Sequence, residues 1–296
     1  MTGRSVLLVT HTGREQARAL ACTVADALTA AGIEVQVPAA EAADLGHPSV
    51  VPVPDELAGA AEGCEVAVVL GGDGTMLRTC ELVRAHGTPI LGVNMGHVGF
   101  LAEAEPDDVA TVVDALVHRR WHVEERLALD VTVARGGTTV AHTWALNEAS
   151  IEKATRERMV ELLVEVDGRP LSRWGGDGVV CATPTGSTAY AFSAGGPVVW
   201  PNVEALVVVP ISAHALFARP LVLSPQGRLA VEVLDGPDGV LWCDGRRRVD
   251  LPVGSRVEVT RSPTPVRLAR LHHKPFTDRL VAKFALPVGG WRGGRG

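Results

Sequence analysis

Long apolar runs and paired cysteines are both missing from this sequence of 296 residues. No apolar run reaches the roughly 18 residues of a membrane-spanning helix. The apolar stretch 6–9 is too short for a signal peptide and runs into His11 and Arg14. The five cysteines are odd in number and form no C-x-x-C pair, which argues against a secreted disulfide framework and a zinc ribbon. We therefore expect a reduced, cytoplasmic protein with no membrane partner.

An excess of positive charge is also absent. Asp and Glu number 34 against 28 Lys and Arg, which gives a formal net charge of −6 and a pI of about 5.9. This balance argues against general binding to nucleic acid or to anionic membranes. Hydrophobic residues make up 46% and charged residues 21% of the chain, so we do not expect disorder. The length suits about two domains, each with a core of its own.

Strand and helix patterns alternate in residues 1–124. Short apolar runs predict buried strands, and apolar residues at helical spacing between them predict helices. The alternation implies right-handed crossovers and a parallel sheet, so we expect an α/β N-terminal domain. Residues 39–62 are ambiguous, and Pro48, Pro52 and Pro54 mark a loop within them. The predicted strands cover 6–9, 33–37, 66–70 and 90–93, and the predicted helices cover 17–28, 76–85 and 107–117.

The pattern changes near Trp121. Over residues 125–273, short strands are separated by turn signals such as Gly136-Gly137 and Asp167-Gly168. We expect a β-rich C-terminal domain that is antiparallel and sandwich-like. Residues 274–296 are predicted to form a helix and a glycine-rich tail that return to the N-terminal domain. The apolar face of that helix consists of Phe276, Leu280 and Phe284.

The first motif with chemical potential is Gly71-Gly72-Asp73-Gly74-Thr75, between an apolar strand and a helix. Glycines let the backbone approach a phosphate, and the amides at a helix start face an anion. Thr75 is the predicted N-cap. A carboxylate in such a loop is costly unless it accepts a proton or works with a metal, so Asp73 is a candidate general base or Mg²⁺ partner. The alternative is a tight turn with Asp73 in an Asx turn.

Two short segments lie at other strand ends. Residues 94–101 follow the next parallel strand, where α/β sheets place their ligands, although glycines there usually only form a turn. Asn147-Glu148 is predicted to end a strand of the second half. An amide beside a carboxylate can bind the hydroxyl pair of a ribose, but such a pair is also ordinary at a protein surface.

The fourth segment, residues 175–197, is dense in glycine and hydroxyl side chains. Thr185 and Ser187 are candidate N-caps of a short helix over 188–193. Tyr190, the only tyrosine of the chain, is suited to stacking on a base. A run of this length with so little apolar bulk favours a binding surface over a packed strand and turn.

No metal ligand is assigned. His118 and His122 have the i, i+4 spacing that can hold zinc on a helix, but no third ligand accompanies them. A nicotinamide-dependent dehydrogenase is disfavoured because the dinucleotide fingerprint G-x-G-x-x-G does not occur, and a Walker A loop is missing as well.

Taken together and in this order, the four segments resemble the NAD kinase family over nearly the whole chain, as far as Lys274-Pro275-Phe276. The loop 71–75 alone is shared with diacylglycerol and sphingosine kinases and with 6-phosphofructokinases. The combination of Asn147-Glu148 with residues 183–193 distinguishes the NAD kinase family from these other kinases. The resemblance implies an α/β domain, a β-rich domain, and phosphoryl transfer from ATP or inorganic polyphosphate to the 2′-hydroxyl of the adenosine ribose of NAD, giving NADP. It also implies a divalent cation, with Mg²⁺ expected, and a homodimer or homotetramer.

The resemblance implies roles for individual positions of this sequence. Asp73 matches the proton acceptor of the family, and Gly74 matches a neighbour of the bound NAD. Asn147 and Glu148 match the pair that binds the ribose. The other implied contacts are Arg78 near the phosphates, Arg158 on NAD, Asp177 on the nicotinamide side, and Thr188, Ala189, Tyr190, Ala191, Phe192 and Ser193 around the adenosine half.

Two alternatives remain from the sequence. A lipid kinase of the same superfamily would need an apolar or basic surface facing the membrane, and none is evident. A dinucleotide sensor without catalysis would bind NAD without turnover, although the intact loop around Asp73 argues against it.

Overall fold

The computed structural model describes residues 3–55, 61–96, 99–156, 158–272 and 275–288. It divides into two compact units, the described parts of Met1–Glu125 with Val266–Gly296, and Arg126–Pro265. The first unit has a mostly parallel sheet and the second has antiparallel sheets, so the predicted fold class is confirmed. Predictions for His97, Lys274 and the tail from residue 289 lie outside the described residues.

The first unit is built on a seven-stranded sheet with the order β3-β2-β1-β4-β5-β19-β6. The pairs from β3 to β19 are parallel, as expected for strands joined by helical crossovers. Its core strands are buried on both faces, which explains why they consist of continuous apolar runs. The strands are β1 (Arg4–Thr10), β2 (Ile33–Pro38), β3 (Val50–Val53), β4 (Ala67–Gly71), β5 (Ile90–Asn94), β6 (His122–Arg126) and β19 (Val266–Arg270).

Helices follow the strands of this sheet. The first helix buries Ala17, Val24 and Leu28 at helical spacing against the sheet, and the chain leaves it through Gly32 at φ 76°. A 3-10 turn at Arg84–His86 extends the third helix, and another at Pro106–Asp108 precedes the fourth. The helices of the unit are α1 (Glu15–Ala30), α2 (Ala39–Leu45), α3 (Asp73–Val83), α4 (Val109–Val117) and α6 (Phe276–Phe284).

The ambiguous stretch 39–62 contains α2 and β3, so the loop expected at Pro52 is wrong. The prolines misled the prediction. Pro52 lies within β3, which is the edge strand of the sheet and can therefore accept a residue that donates no hydrogen bond on its free side. The prolines mark the edge of the sheet rather than its absence.

The second unit contains two six-stranded antiparallel sheets, with the orders β11-β10-β15-β18-β7-β8 and β14-β13-β12-β9-β16-β17. Both sheets contribute to one apolar cluster, to which Leu162 of the first sheet and Ile151 of the second belong. The first sheet consists of β7 (Leu129–Arg135), β8 (Thr138–Ala145), β10 (Val160–Val166), β11 (Arg169–Gly176), β15 (Leu229–Val233) and β18 (Ser255–Arg261). The second consists of β9 (Glu148–Lys153), β12 (Gly178–Ala182), β13 (Leu206–Ile211), β14 (Leu221–Leu223), β16 (Gly239–Cys243) and β17 (Arg247–Leu251).

We predicted that the chain returns to the first unit at residue 274. In the structure it returns earlier, at Val266. Strand β19 already pairs with β5. In the sequence, the apolar pattern of β19 resembles that of the antiparallel strands of the second half. Only its parallel pairing with β5 shows that it belongs to the first unit. Helix α6 then packs on the same unit, with the ring of Phe100 5.9 Å from the ring of Phe276. Among the described residues, none of the helices has the length and hydropathy that a membrane crossing requires.

Candidate active site

The glycine loop lies at the carboxyl end of β4, in the middle of the parallel sheet. Strand β4 ends at Gly71, Gly72 is the N-cap, and Asp73 is the first residue of α3. The predicted N-cap at Thr75 is wrong, because Thr75 lies inside the first turn and its amide donates to the Gly72 carbonyl at 3.0 Å. A Cβ on Gly71 would overlap the Thr75 side chain, so the tight turn requires glycine there.

Two backbone amides hold the carboxylate of Asp73. The amide of Phe100 donates to Oδ2 at 3.2 Å, and the amide of Leu101 donates to Oδ1 at 3.3 Å. A Cβ on Gly99 would overlap the same carboxylate. Residues 94–101 carried little weight as a motif, yet Gly99, Phe100 and Leu101 contact Asp73 because β5 lies beside β4 and both strands end at one edge of the sheet.

Helix α6 contacts backbone carbonyls of residues 100–102, the segment whose amides bind Asp73. The guanidinium of Arg279 donates to the carbonyls of Phe100 at 2.9 Å and Ala102 at 2.8 Å. It also pairs at 2.9 Å with the buried carboxylate of Glu103, which Arg270 contacts at 3.1 Å. The segment is therefore fixed through its carbonyls by α6, while its amides face Asp73.

Arg78, one helical turn after the loop, forms an ion pair with Glu41 of α2. Glu41 is buried and also accepts a hydrogen bond from the amide of Thr10 at 2.7 Å. Burial raises the pKa of Glu41, while the Thr10 amide and Arg78 oppose that rise. Glu41 was not predicted as a site residue, because it lies in the ambiguous stretch 39–62. The ion pair lies at a cavity of about 250 Å³ whose wall is made of Thr10, His11, Thr12, Gly13, Glu41, Thr75 and Arg78.

In the second unit, Asn147 lies in the short connection between β8 and β9, and Glu148 is the first residue of β9. We predicted that the pair ends a strand, but it lies at the start of one. The Glu148 side chain is buried, and desolvation raises its pKa to about 8, with smaller contributions from the charges of Asp244 and Glu152. The carboxyl of Glu148 is thus protonated at neutral pH.

The glycine-rich and hydroxyl-rich segment forms β12, a 3-10 turn at Gly186–Thr188 and the four-residue helix α5 (Tyr190–Ser193). The predicted caps are wrong. Thr185 occupies the N-cap position of the 3-10 turn, but its side chain makes no capping hydrogen bond, and Ala189 is the N-cap of α5. The Ser187 hydroxyl is bonded to Pro184 and Val199 instead. Thr188 ends the 3-10 turn and does not begin the helix.

Gly186 joins this segment to the one before β9. A Cβ on Gly186 would overlap the backbone carbonyl of Asn147, and the amide of Thr183 donates to that same carbonyl at 2.9 Å. The hydroxyl of Thr183 also donates to the Leu146 carbonyl at 2.5 Å. Two motifs that are nearly 40 residues apart in the sequence therefore form one continuous backbone surface.

Tyr190 lies beside both acidic side chains of β9. Its amide donates to Glu148 Oε2 and its hydroxyl to Glu152 Oε2, each at 3.4 Å. Ala191 is fully buried in an apolar cluster with Val180, and its carbonyl accepts the amide of Gly196 at 2.8 Å. Among the other predicted contacts of this segment, Phe192 and Ser193 are exposed, and Thr188 and Ala189 are half-buried.

The two remaining predicted contacts differ in their surroundings. Asp177 pairs with Lys153 at 2.5 Å, and the hydrogen bond from Lys153 holds the pKa of the aspartate below its ordinary value. Arg158 lies exposed between β9 and β10.

The described residues contain no group of three or more His, Cys, Asp and Glu side chains arranged to hold a metal ion. His118 and His122 do not lie on one helix, because His118 is the C-cap of α4 and His122 begins β6. Gly74 is exposed and Asp73 half-buried, so both are accessible to a substrate.

Comparison with known proteins gives consistent results. The family model of the ATP-NAD kinase N-terminal domain matches residues 6–121, and that of the ATP-NAD kinase C-terminal domain matches residues 146–271. The NAD kinase of Thermobifida fusca (strain YX) is 60% identical over 301 residues, which cover 99% of this chain and 92% of that protein. NAD kinase 2 of Streptomyces coelicolor is 62% identical over 296 residues, with 98% and 97% covered.

Solved structures agree in fold. The crystal structure of yeast NADH kinase complexed with NADH has a TM-score of 0.85 at 23% identity, covering 99% of this chain and 89% of that one. An NAD kinase from Archaeoglobus fulgidus in complex with ATP has a TM-score of 0.72 at 25% identity, covering 96% and 100%. On the match of both family models and on its identity to these relatives over almost its whole length, the chain belongs to the NAD kinase family.

Proposed function

We propose that this chain transfers the terminal phosphoryl group of ATP to the 2′-hydroxyl of the adenosine ribose of NAD, giving NADP. The observation that carries the proposal is Asp73, held by the amides of Phe100 and Leu101 at the end of a glycine loop, in a chain of the NAD kinase family. A phosphotransferase acting on an alcohol needs a base at such a loop.

Asp73 is proposed to orient the 2′-hydroxyl and to accept its proton as the new phosphorus–oxygen bond forms. Each carboxylate oxygen accepts one amide hydrogen bond, and each has a further lone pair for the substrate hydroxyl. Because the amides fix the carboxylate in one orientation, the hydroxyl meets a base that is already in place.

The amides at the start of α3 and the guanidinium of Arg78 are proposed to stabilise the charge on the transferred group. Mg²⁺ in proteins is commonly bound by one or two carboxylates together with substrate phosphates. Bound to the donor phosphates, the ion would neutralise their charge, while the Asp73 carboxylate accepts the proton of the substrate hydroxyl. The side chains otherwise position the reactants, as a loose phosphoryl-transfer transition state requires.

The second unit is proposed to bind the nucleotide acceptor. Asn147 offers an amide that both donates and accepts, and the protonated carboxyl of Glu148 can donate one hydrogen bond to a ribose hydroxyl and accept another. Tyr190 provides a half-buried ring beside them. Arg158, Asp177 and the segment 188–193 are proposed to contact the remainder of NAD.

We also infer a cytoplasmic enzyme that forms a homodimer or homotetramer. All five cysteines are free thiols, and four of them are buried, which supports a reducing compartment. Leu216, Phe217 and Val222 expose large apolar side chains in the second unit, which supports association. A mass measured by light scattering tests the assembly, and a monomer at micromolar concentration would contradict it.

The test of the function is to incubate the purified chain with NAD, Mg²⁺ and ATP, and to quantify NADP with an NADP-specific dehydrogenase. A parallel reaction with polyphosphate shows whether that donor is also used. Asp73→Asn should retain NAD binding and lose most turnover. Asp107→Asn makes the same change on an exposed carboxyl of the same unit and should retain activity.

Each other outcome excludes a specific part of the proposal. Normal turnover in Asp73→Asn removes the assigned role of that residue. A folded wild-type protein that binds NAD without forming NADP is a dinucleotide sensor. A protein that does not bind NAD but phosphorylates diacylglycerol is a lipid kinase.

A further inference from the structure

Asp244 holds the backbone on both sides of the peptide bond between Asn147 and Glu148. Its Oδ1 accepts the amide of Asn147 at 2.7 Å and that of Glu148 at 3.4 Å, and its Oδ2 accepts the amide of Leu146 at 3.0 Å. The Asp244 side chain is 1% exposed. Three consecutive amides therefore converge on one buried carboxylate nearly 100 residues further along the chain.

The position of Asp244 follows from the local fold. Strands β16 and β17 are joined by a tight turn in which Asp244 has φ 54° and Gly245 has φ 63°, a conformation that Asp and Asn tolerate better than most residues. Because β16 pairs with β9, the turn lies beside the start of β9. The contact is reciprocal, since the Asp244 amide donates to the Glu148 carbonyl at 2.9 Å.

Arg247 completes the arrangement and offsets the buried negative charge. Its Nη2 donates to Asp244 Oδ2 at 2.7 Å and to the Trp144 carbonyl at 2.8 Å. The guanidinium also lies 4.4 Å from the centre of the Trp144 ring. The backbone of residues 144 and 146–148 is thus tied to one Asp–Arg pair, which holds it in a single conformation.

We propose that Asp244 is a positioning residue for recognition of the acceptor nucleotide, because it fixes the backbone from which the side chains of Asn147 and Glu148 extend. The inference rests on the proposed function. Without the carboxylate, the three amides lose their acceptor inside the protein, and the peptide units 146–148 must rotate to find water. Such a rotation redirects Asn147 and weakens ribose binding, while the residues of the glycine loop stay intact.

The test compares Asp244→Asn and Asp244→Ala with the wild type in the NADP-forming assay. The asparagine carbonyl can accept the amides of Asn147 and Glu148, but its NH₂ group then faces donors of Leu146 and Arg247. We expect KM for NAD to rise about tenfold in the asparagine variant and further in the alanine variant. The KM for ATP should change less than twofold, and this difference between the two KM values is a readout that a merely structural role would not produce.

A matched control exists in the same unit. Asp167 occupies an equivalent Asp-Gly turn between β10 and β11, with φ 53°, and its carboxylate accepts the amide of Arg228 at 2.9 Å. Asp167→Asn makes the same substitution in an exposed turn of the same kind, where the asparagine carbonyl can still accept the one amide. It should leave KM for NAD unchanged.

Two results would overturn the inference. One is an unchanged KM for NAD in folded Asp244→Asn. The other is a proportional loss of kcat in both Asp244 variants, with unchanged KM values, which would show only a smaller folded fraction. If the alanine variant does not fold, the asparagine variant decides. If the wild type forms no NADP, the proposed function fails separately, and calorimetric titration with NAD still distinguishes Asp244→Asn from wild type.

Discussion

Gly99 lies against Asp73 so closely that a methyl group at position 99 would overlap the Asp73 carboxylate. The contact joins the segments that follow two neighbouring parallel strands, β4 and β5, and it explains why position 99 must lack a side chain. It also defines how tightly the proposed base is held, since the next two amides along the chain donate to its oxygens.

Gly99→Ala should lower kcat for NADP formation about 100-fold, because a displacement of the base by about 1 Å has consequences of that size. The KM for NAD should change little. Gly3→Ala is the control, because no atom lies within 4 Å of a Cβ at that position. Steady-state kinetics of both variants checks the prediction, and a kcat of Gly99→Ala within twofold of wild type would contradict it.

Glu41→Gln should lower kcat/KM for ATP about tenfold, which corresponds to about 1.4 kcal/mol. Glutamine keeps an acceptor for the Thr10 amide but removes the charge that orients Arg78 toward the cavity beside α3. Glu34→Gln, on the exposed side chain of a β2 residue, is the control. An equal effect of both substitutions would show that Glu41 does not act through Arg78.

Glu148 should make the folded protein less stable as pH rises from about 5 to 8. The folded protein keeps a proton on Glu148 up to a pKa of about 8, whereas the unfolded chain releases it near the ordinary value of 4.5. The contribution of Glu148 to the free energy of unfolding is therefore fully present below pH 4.5. It is lost as pH rises toward the folded-state pKa, by up to about 1.4 kcal/mol per pH unit.

Urea unfolding at several pH values measures this contribution as the difference between wild type and Glu148→Gln. The glutamine variant lacks the titrating proton, so its free energy of unfolding should fall less steeply over the same range. Parallel curves for the two proteins would mean that Glu148 is already ionised in the folded state.

Arg279→Gln should destabilise the protein by about 2–3 kcal/mol and lower kcat. The substitution removes charged hydrogen bonds to the carbonyls of Phe100 and Ala102, and thereby loosens the segment that holds Asp73. Lys283→Gln changes an exposed charge of the same helix and serves as the control. Loss of stability at unchanged kcat would show that α6 supports the fold without influencing Asp73.

Local patterns in the sequence predicted most of the elements that lie near the proposed chemistry. The apolar runs before Gly71 and Asn94 are strands because such runs cannot be solvated, and Gly136-Gly137 and Asp167-Gly168 are turns because they adopt positive φ. Edge strand β3 was missed because its prolines conflict with an interior strand but not with an edge. The cap predicted at Thr75 failed because that residue lies inside the first turn of α3, and the cap predicted at Ser187 failed because its hydroxyl bonds to Pro184 and Val199.

The sequence by itself determined the fold class, the glycine loop with Asp73, and the family resemblance that assigns Asn147 and Glu148. These features depend on residue type and short spacing, which the chain carries locally. Tertiary structure decided which groups support them. Gly99 reaches Asp73, Glu41 reaches Arg78, and Asp244 reaches Asn147 only because strands distant in sequence pair side by side, so that the ends of separate segments meet. No periodicity within one segment encodes such a contact.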